Sequence, residues 1–426
     1  MKHIEDTLQN GISVLSIPQE STDATTILVL VKAGSRLEDA KNNGISHFIE
    51  HLLFKGTKKY PNTTILSRTL DAVGADFNAY TSKDHTGYYI KLQSEKLELA
   101  LSVLSDMVYH PLFDSEEIER ERGVILEEIN MYEDNPMMSA TDVFEGLLYG
   151  EKTALGQDII GTKDTIKNMS RDQILEYKNE WYRPDTIEIV LSGKLPKEEE
   201  LTKLLNTHFV QKGLTEERKE DTSRMDMQQT EPRVAIKKKE TEQVHLVLGL
   251  PAYHYTHEDR LPLAVANKIL GGGMSSRLFI NIRERQGLCY YIRSAFDPYT
   301  DAGGWYVRAG LDKNRIDEAI TRILEEFKKL KDKGVTSEEL QEAKDGVRGS
   351  MIVQLEDSLA VADFYGKRKL LTGEIISPEE ALAKIDAVTH KDIERVVTDL
   401  LVPEKLNLAV VGSFDDKERF KKLLTF

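Results

Sequence analysis

The chain has 426 residues, 40% hydrophobic and 30% charged, with 72 acidic against 57 basic side chains and a formal net charge of −15. That length and apolar content support two or more buried cores, and the negative charge argues against nucleic acid as a partner, since phosphates would be repelled. The longest apolar runs, such as Ile-Leu-Val-Leu-Val, are strand length, which excludes a membrane-spanning helix.

In chain order, the N-terminal stretch MKHIEDTLQNG has neither an apolar signal core nor an Arg-rich amphipathic pattern, so a cytoplasmic location is expected. TTILVLVKAG (25–34) reads as a strand. Ile45, Phe48, Ile49, Leu52 and Leu53 then recur at helical spacing, predicting an amphipathic helix with Ser46 as N-cap and Gly56 as its stop. His47, Glu50 and His51 share the remaining stripe. Two imidazoles one turn apart can grip one small cation from a rigid element, and Glu50 leans over the same stripe, within reach of a water on that cation. The order H-x-x-E-H reverses the H-E-x-x-H of zinc protease helices. The bland alternative is a surface helix with two unrelated histidines.

DAVGADFNAYTSKDHTGYY (71–89) reads as a strand pair, with alternation over Phe77, Asn78, Ala79, Tyr80 and Thr81. Ser115 to Glu133 reads as a long acidic helix, capped by Ser115, with Glu116 and Glu117 suited to its positive end. A zinc site needs a third protein ligand, and this helix offers Glu121 and Glu128 two turns apart on one face. Glu127 points about 100° away from Glu128, so only one of that pair can face a metal. The residues alone leave the choice open.

HFIEHLLFKGT, followed by ERERGVILEEI with Glu128 seventy-seven residues after His51, resembles the pitrilysin/insulinase family of zinc peptidases (the inverzincins), in the branch of the mitochondrial processing peptidase and its bacterial relatives. The resemblance implies one Zn2+ per chain held by His47, His51 and Glu128, with Glu50 as general base and Glu121 orienting the site through a ligand histidine. It implies that Phe77 to Thr81 pair as an edge strand with an extended peptide substrate. TALGQDIIGT (153–162) and WYRPDTIEIVLSG (181–193) also look like family segments.

QKGLTEERKEDTSRMDMQQTEPR (211–233) is charged and poor in apolar residues, as an exposed linker would be. Beyond it VHLVLGLPAY (244–253) leads into LPLAVANKILGGG, repeating the passage from 25–34 into the first helix. QGLCYYIRSAFDPYTDAGGWYVRAGL (286–311) likewise parallels VGADFNAYTSKDHTGYYIKL (73–92). His254, His257 and Glu258 fall in an apparent loop and read as surface residues. Gly271 to Gly273 lack a phosphate-loop pattern and read as a helix stop. In RERQGLCYYI the resemblance implies that Arg283 and Tyr290, seven apart, bind substrate and support the tetrahedral intermediate; Arg285 and Tyr291 are their neighbours. The lone Cys289 excludes an internal disulfide and reads as a packing residue.

The expected fold is α+β, two tandem homologous domains, each a mostly antiparallel sheet packed with helices: 1–215 carrying the zinc residues, a linker at 216–233, and 234–426 carrying the Arg/Tyr pair. The expected function is zinc-dependent endopeptidase action on extended peptides or small unfolded polypeptides. The competing class is a silent peptide-binding or scaffold subunit. Family sites lie in a chamber of four such domains, so a chain supplying two is expected to work as a homodimer.

Overall fold

The computed structural model describes residues 1–210, 225 and 227–426. The first sheet contains β1 (Ile4–Thr7), β2 (Ser13–Pro18), β3 (Ala24–Val31), β4 (Asp76–Thr81), β5 (Thr86–Gln93) and β6 (Ile187–Gly193), in the order β1-β2-β6-β3-β5-β4. Only β2 and β6 are parallel neighbours; the other pairs are antiparallel. The second sheet contains β7 (Arg233–Lys238), β8 (Gln243–Pro251), β9 (Cys289–Pro298), β10 (Gly303–Asp312) and β11 (Asn407–Gly412), in the order β7-β11-β8-β10-β9. Its one parallel pair is β7 with β11. Apart from β1, the two sheets share one topology, which is the α+β duplication expected from the repeated segments.

Central strands in both sheets are apolar on both faces, as doubly covered strands must be. In the first sheet Val14, Ile27, Val29, Ile189 and Leu191 face helices α1 (Ile45–Leu53), α2 (Thr63–Asp71), α3 (Leu97–Tyr109) and α4 (Ser115–Asp134). On the opposite face Leu15, Ile17, Leu28, Leu30 and Val190 meet Val361, Ala362 and Tyr365 of the helix Ser358–Thr372. In the second sheet Val247, Ala409, Val411 and Tyr306 meet Ala140 and Phe144 of α5 (Pro136–Glu145).

The compact units are therefore not contiguous in sequence. One combines Met1–Ile129 and Ile352–Glu379 with the segment from Asp158 onward; the other combines Asn130–Gln157 and Glu380–Phe426 with the segment that ends at Met351. A single division of the chain near 216–233 assigns every strand to its sheet but neither of these two covering helices. The expected linker falls in part, at 216–224 and 226, outside the described residues. Among the described residues no helix is long and apolar enough to cross a membrane.

A charged residue breaks the apolar pattern of β6. Glu188 is buried, one of its carboxylate oxygens has no hydrogen-bond partner, and burial pushes its pKa up from 4.5 to about 7. A hydrogen bond with Ser13 and the charge of Lys369 only partly offset this, while Glu5 adds to it. A carboxyl raised in the folded state binds its proton more tightly there, so its contribution is fully present below the unfolded value and is lost as pH rises to about 7. Between those limits the loss is of order 3 kcal/mol. Glu188→Gln should flatten that part of the stability–pH curve, read from urea midpoints at pH 5 and pH 8; parallel curves for the two proteins would refute it.

Candidate metal centre

Helix α1 begins one residue before Ser46, and its start is secured by a residue that local capping rules do not reach. Gly44, at φ 95°, is the N-cap. The buried Glu38 carboxylate accepts hydrogen bonds from the backbone N–H groups of Gly44 (2.7 Å) and Ser46 (2.8 Å) and from Asn43 Nδ2 (3.1 Å). Acceptor oxygens there satisfy orphan donors at the helix start; burial raises the Glu38 pKa, and these same hydrogen bonds lower it in part. Ser46 does not cap the helix; its hydroxyl lies 2.8 Å from that of Tyr177. On α4, similarly, the capping oxygen comes from Asp114, which accepts from Glu116 and Glu117 N–H, and Ser115 lies inside the helix.

With α1 so anchored, its polar stripe meets that of α4. His47 Nε2 and His51 Nε2 are 3.3 Å apart, and Glu128 Oε2 lies 3.7 Å from the first and 3.6 Å from the second. Two ligands about 2.1 Å from one ion at the tetrahedral angle stand about 3.4 Å apart. The three atoms thus trace one face of a tetrahedron around a small cation, with a nitrogen, nitrogen and oxygen donor set that zinc accepts. They are the one such group of His, Cys, Asp and Glu among the described residues. Burial, then the neighbouring His51, pushes the His47 pKa down to about 3, which favours a neutral imidazole. Its Nδ1 is buried with no partner among the described residues, so a cation on Nε2 would place the ring proton at Nδ1. Glu127, the alternative ligand, is exposed.

The second ring nitrogen of His51 is held. Glu121, almost fully buried, places Oε2 3.2 Å from His51 Nδ1 and Oε1 2.8 Å from Lys55 Nζ. Burial alone would raise the Glu121 pKa; the hydrogen bonds from His51 and Lys55 outweigh it and hold the carboxyl below its ordinary value. Lys55 thereby keeps ionised the carboxylate that orients His51, an arrangement that usually strengthens a metal ligand.

Glu50 Oε2 accepts a hydrogen bond from Thr81 Oγ1 at 2.5 Å. Burial raises its pKa, the Thr81 bond and His51 lower it, and the charge of Glu128 raises it again, for a net rise. Thr81 ends β4, which among the described residues pairs only with β5 and forms one edge of the sheet. Along that strand Phe77 and Ala79 pack toward the helices and Phe77 stacks near Phe54. Tyr80 faces the other way and donates to Asp363 at 2.7 Å. Asn78 lies between them on the same edge strand.

Arg283 and Tyr290 belong to the other compact unit, where the structure brings them together. The Arg283 guanidinium lies 4.5 Å from the Phe279 ring centre and 5.8 Å from that of Tyr290. The register of β9 on β10 shifts between Gly310 (opposite Tyr291) and Leu311 (opposite Cys289), making Tyr290 the extra residue of a β-bulge. Bulges re-aim side chains, and this phenol is 75% exposed. The neighbours have structural partners: Tyr291 bonds with His245 at 3.0 Å, and Arg285 donates to Asn281. Cys289 is buried in the second core, and its thiol is pushed up to about 11. His257 stacks on Tyr253, and the glycines at 271–272 end the helix Arg260–Gly271 where a side chain would strike Ser294 or Lys268.

Comparison with known proteins identifies relatives of the chain. Residues 13–163 match the family described as Insulinase (Peptidase family M16), and residues 168–347 match its companion, Peptidase M16 inactive domain. The chain is 34% identical over 408 residues to the uncharacterized zinc protease YmxG of Bacillus subtilis, covering 95% of this chain and 97% of that protein. It is 31% identical over 425 residues to the mitochondrial-processing peptidase subunit beta of Bos taurus, covering 98% and 85%. A protease from Helicobacter pylori shares its fold with a TM-score of 0.90 at 25% identity, covering 96% of this chain and 99% of that one.

Proposed function

The chain belongs to the insulinase (M16) family of peptidases, and from that premise we propose that it is a zinc-dependent endopeptidase acting on extended peptides or small unfolded polypeptides. The observation that carries this reading is the triangle of His47 Nε2, His51 Nε2 and Glu128 Oε2 with the Glu50 carboxylate beside it on α1. The inactive-domain match starts at residue 168, after the H-x-x-E-H segment. A silent binding subunit would leave this complete donor set without a use.

His47, His51 and Glu128 would hold a zinc ion, which when bound would supply a Lewis acid able to make water a nucleophile near neutral pH. Glu50, with its proton affinity raised by burial and its orientation held by Thr81, takes the proton released as water attacks the scissile carbonyl. It then returns that proton to the departing amine. The substrate lies along Phe77 to Thr81 as an added strand, bound through main-chain hydrogen bonds that require no particular sequence. Arg283 and Tyr290 donate to the carbonyl oxygen as it gains charge.

Metal content and cleavage of a peptide library, before and after chelation, test the reading. About one zinc per chain is expected, with cleavage abolished by chelation and restored by zinc. Cleavage indifferent to chelation would overturn it.

In the same reading the enzyme is a cytoplasmic homodimer, the second unit of each protomer serving the metal residues of the other. Refolding a mixture of Glu50→Gln and Arg283→Ala chains should then recover up to about a quarter of wild-type activity, from mixed dimers with one intact site. Heterodimers shown to form, yet inactive, would place each site within one chain.

A further inference from the structure

The outer hairpins of the two sheets are built alike and charged differently. β4–β5 and β9–β10 are each joined by four residues, 82–85 and 299–302. Five positions from the turn, the first hairpin opposes Asp76 to Lys91, and the second opposes Arg293 to Arg308. In the first unit Lys91 Nζ also reaches Asp357 Oδ2 at 2.7 Å, and Asp357 caps the covering helix Ser358–Thr372. The covering helix of the second sheet, α5, is capped instead by the neutral Asn135. One constellation thus carries a single net negative charge, and its counterpart carries two positive ones.

Like charges directly opposed on neighbouring strands are destabilising, and a chain with 72 acidic against 57 basic residues has acids to place there. None is so placed among the described residues: neither Arg293 nor Arg308 has an ion pair or hydrogen bond. Asp297, further along the same face of β9, is bonded to the Tyr306 hydroxyl. Arg308 is half-buried, with its guanidinium 5.7 Å from the Tyr306 ring centre, and Arg293 is exposed. Two residues along β9 on that face stands Tyr291, whose hydroxyl is held by His245. Two guanidinium forks in register offer parallel N–H donors matched to the two oxygens of a carboxylate.

We propose that Arg293 and Arg308 form a binding site for a peptide carboxylate, either an acidic side chain or the C-terminal group. The identity of the ligand as a peptide rests on the peptidase reading; the anion site itself does not.

The test uses one fluorescent peptide in three forms: an internal Gln with an amidated C-terminus, the same with Glu in place of that Gln, and the Gln form with a free C-terminus. Anisotropy is titrated with the full-length, zinc-loaded protein carrying Glu50→Gln, so that the readout does not depend on hydrolysis. One carboxylate form should bind about tenfold more tightly than the neutral form, and which one does identifies the source of the carboxylate. Adding Arg308→Ala, or Arg293→Asp, should erase that ratio and leave the affinity of the neutral form unchanged. Arg293→Asp recreates the opposed acid–base pair of the first unit, so it keeps the test valid if Arg308→Ala unfolds. Equal affinities for all three forms, or a ratio that survives either folded substitution, would overturn the proposal while leaving the hydrolytic reading untouched.

Discussion

Glu50→Gln should bind about one zinc per chain and cleave peptides about a thousandfold more slowly than wild type, within the usual range for loss of a positioned base. The substitution is nearly isosteric. The amide oxygen of Gln can still accept the Thr81 hydroxyl that now holds Glu50 Oε2 at 2.5 Å, so α1 and the two histidines should stay in place. The lost property is the ability to take a proton from water and return it to an amine. Metal analysis alongside single-turnover cleavage separates the two roles. Near-wild-type turnover with zinc bound would remove Glu50 from the chemistry.

The second large effect is expected at Glu128, with its sequence neighbour as the control. Glu128→Gln should weaken zinc by more than the roughly 10–100-fold that loss of an outer partner costs, because it removes the only anionic donor of the triangle. Glu127→Gln, one residue away and exposed, should change neither affinity nor melting temperature. Zinc at a thousand times its Kd adds about 4 kcal/mol to stability. The zinc-induced rise in melting temperature should therefore survive in the Glu127 variant and shrink in the Glu128 variant. Competition with a chelator of known affinity gives the same comparison at equilibrium. Equal affinities for the two variants would dismiss Glu128 as a ligand.

The contrast between these glutamates shows where the sequence was legible. Helical spacing put His47, Glu50 and His51 on one stripe and separated Glu127 from Glu128, because 100° per residue leaves few choices. The choice of Glu128 came from family resemblance, since periodicity cannot say which turn of α4 meets which turn of α1. The repeated strand–helix–hairpin order similarly announced the duplicated sheets. Glu38 was not legible: it caps α1 from six residues before Gly44, through a loop, where no capping-box spacing applies. Lys55 lies next to the motif, but its role appears only once Glu121 is brought across from another helix. Tyr290 as a bulge residue follows from a pairing offset between β9 and β10, which neither strand encodes alone.

The covering helices have a consequence for how the chain is made. A ribosome that has emitted residues 1–210 has delivered all six strands of the first sheet but not Ser358–Thr372, the helix that shields Leu15, Leu28, Leu30 and Val190. Conversely, α5 emerges nearly a hundred residues before β7, the first strand of the sheet it covers. Each nascent half must wait with an apolar surface bare, a state prone to aggregation. A gene cut at the 211–233 stretch would make that wait permanent for both products.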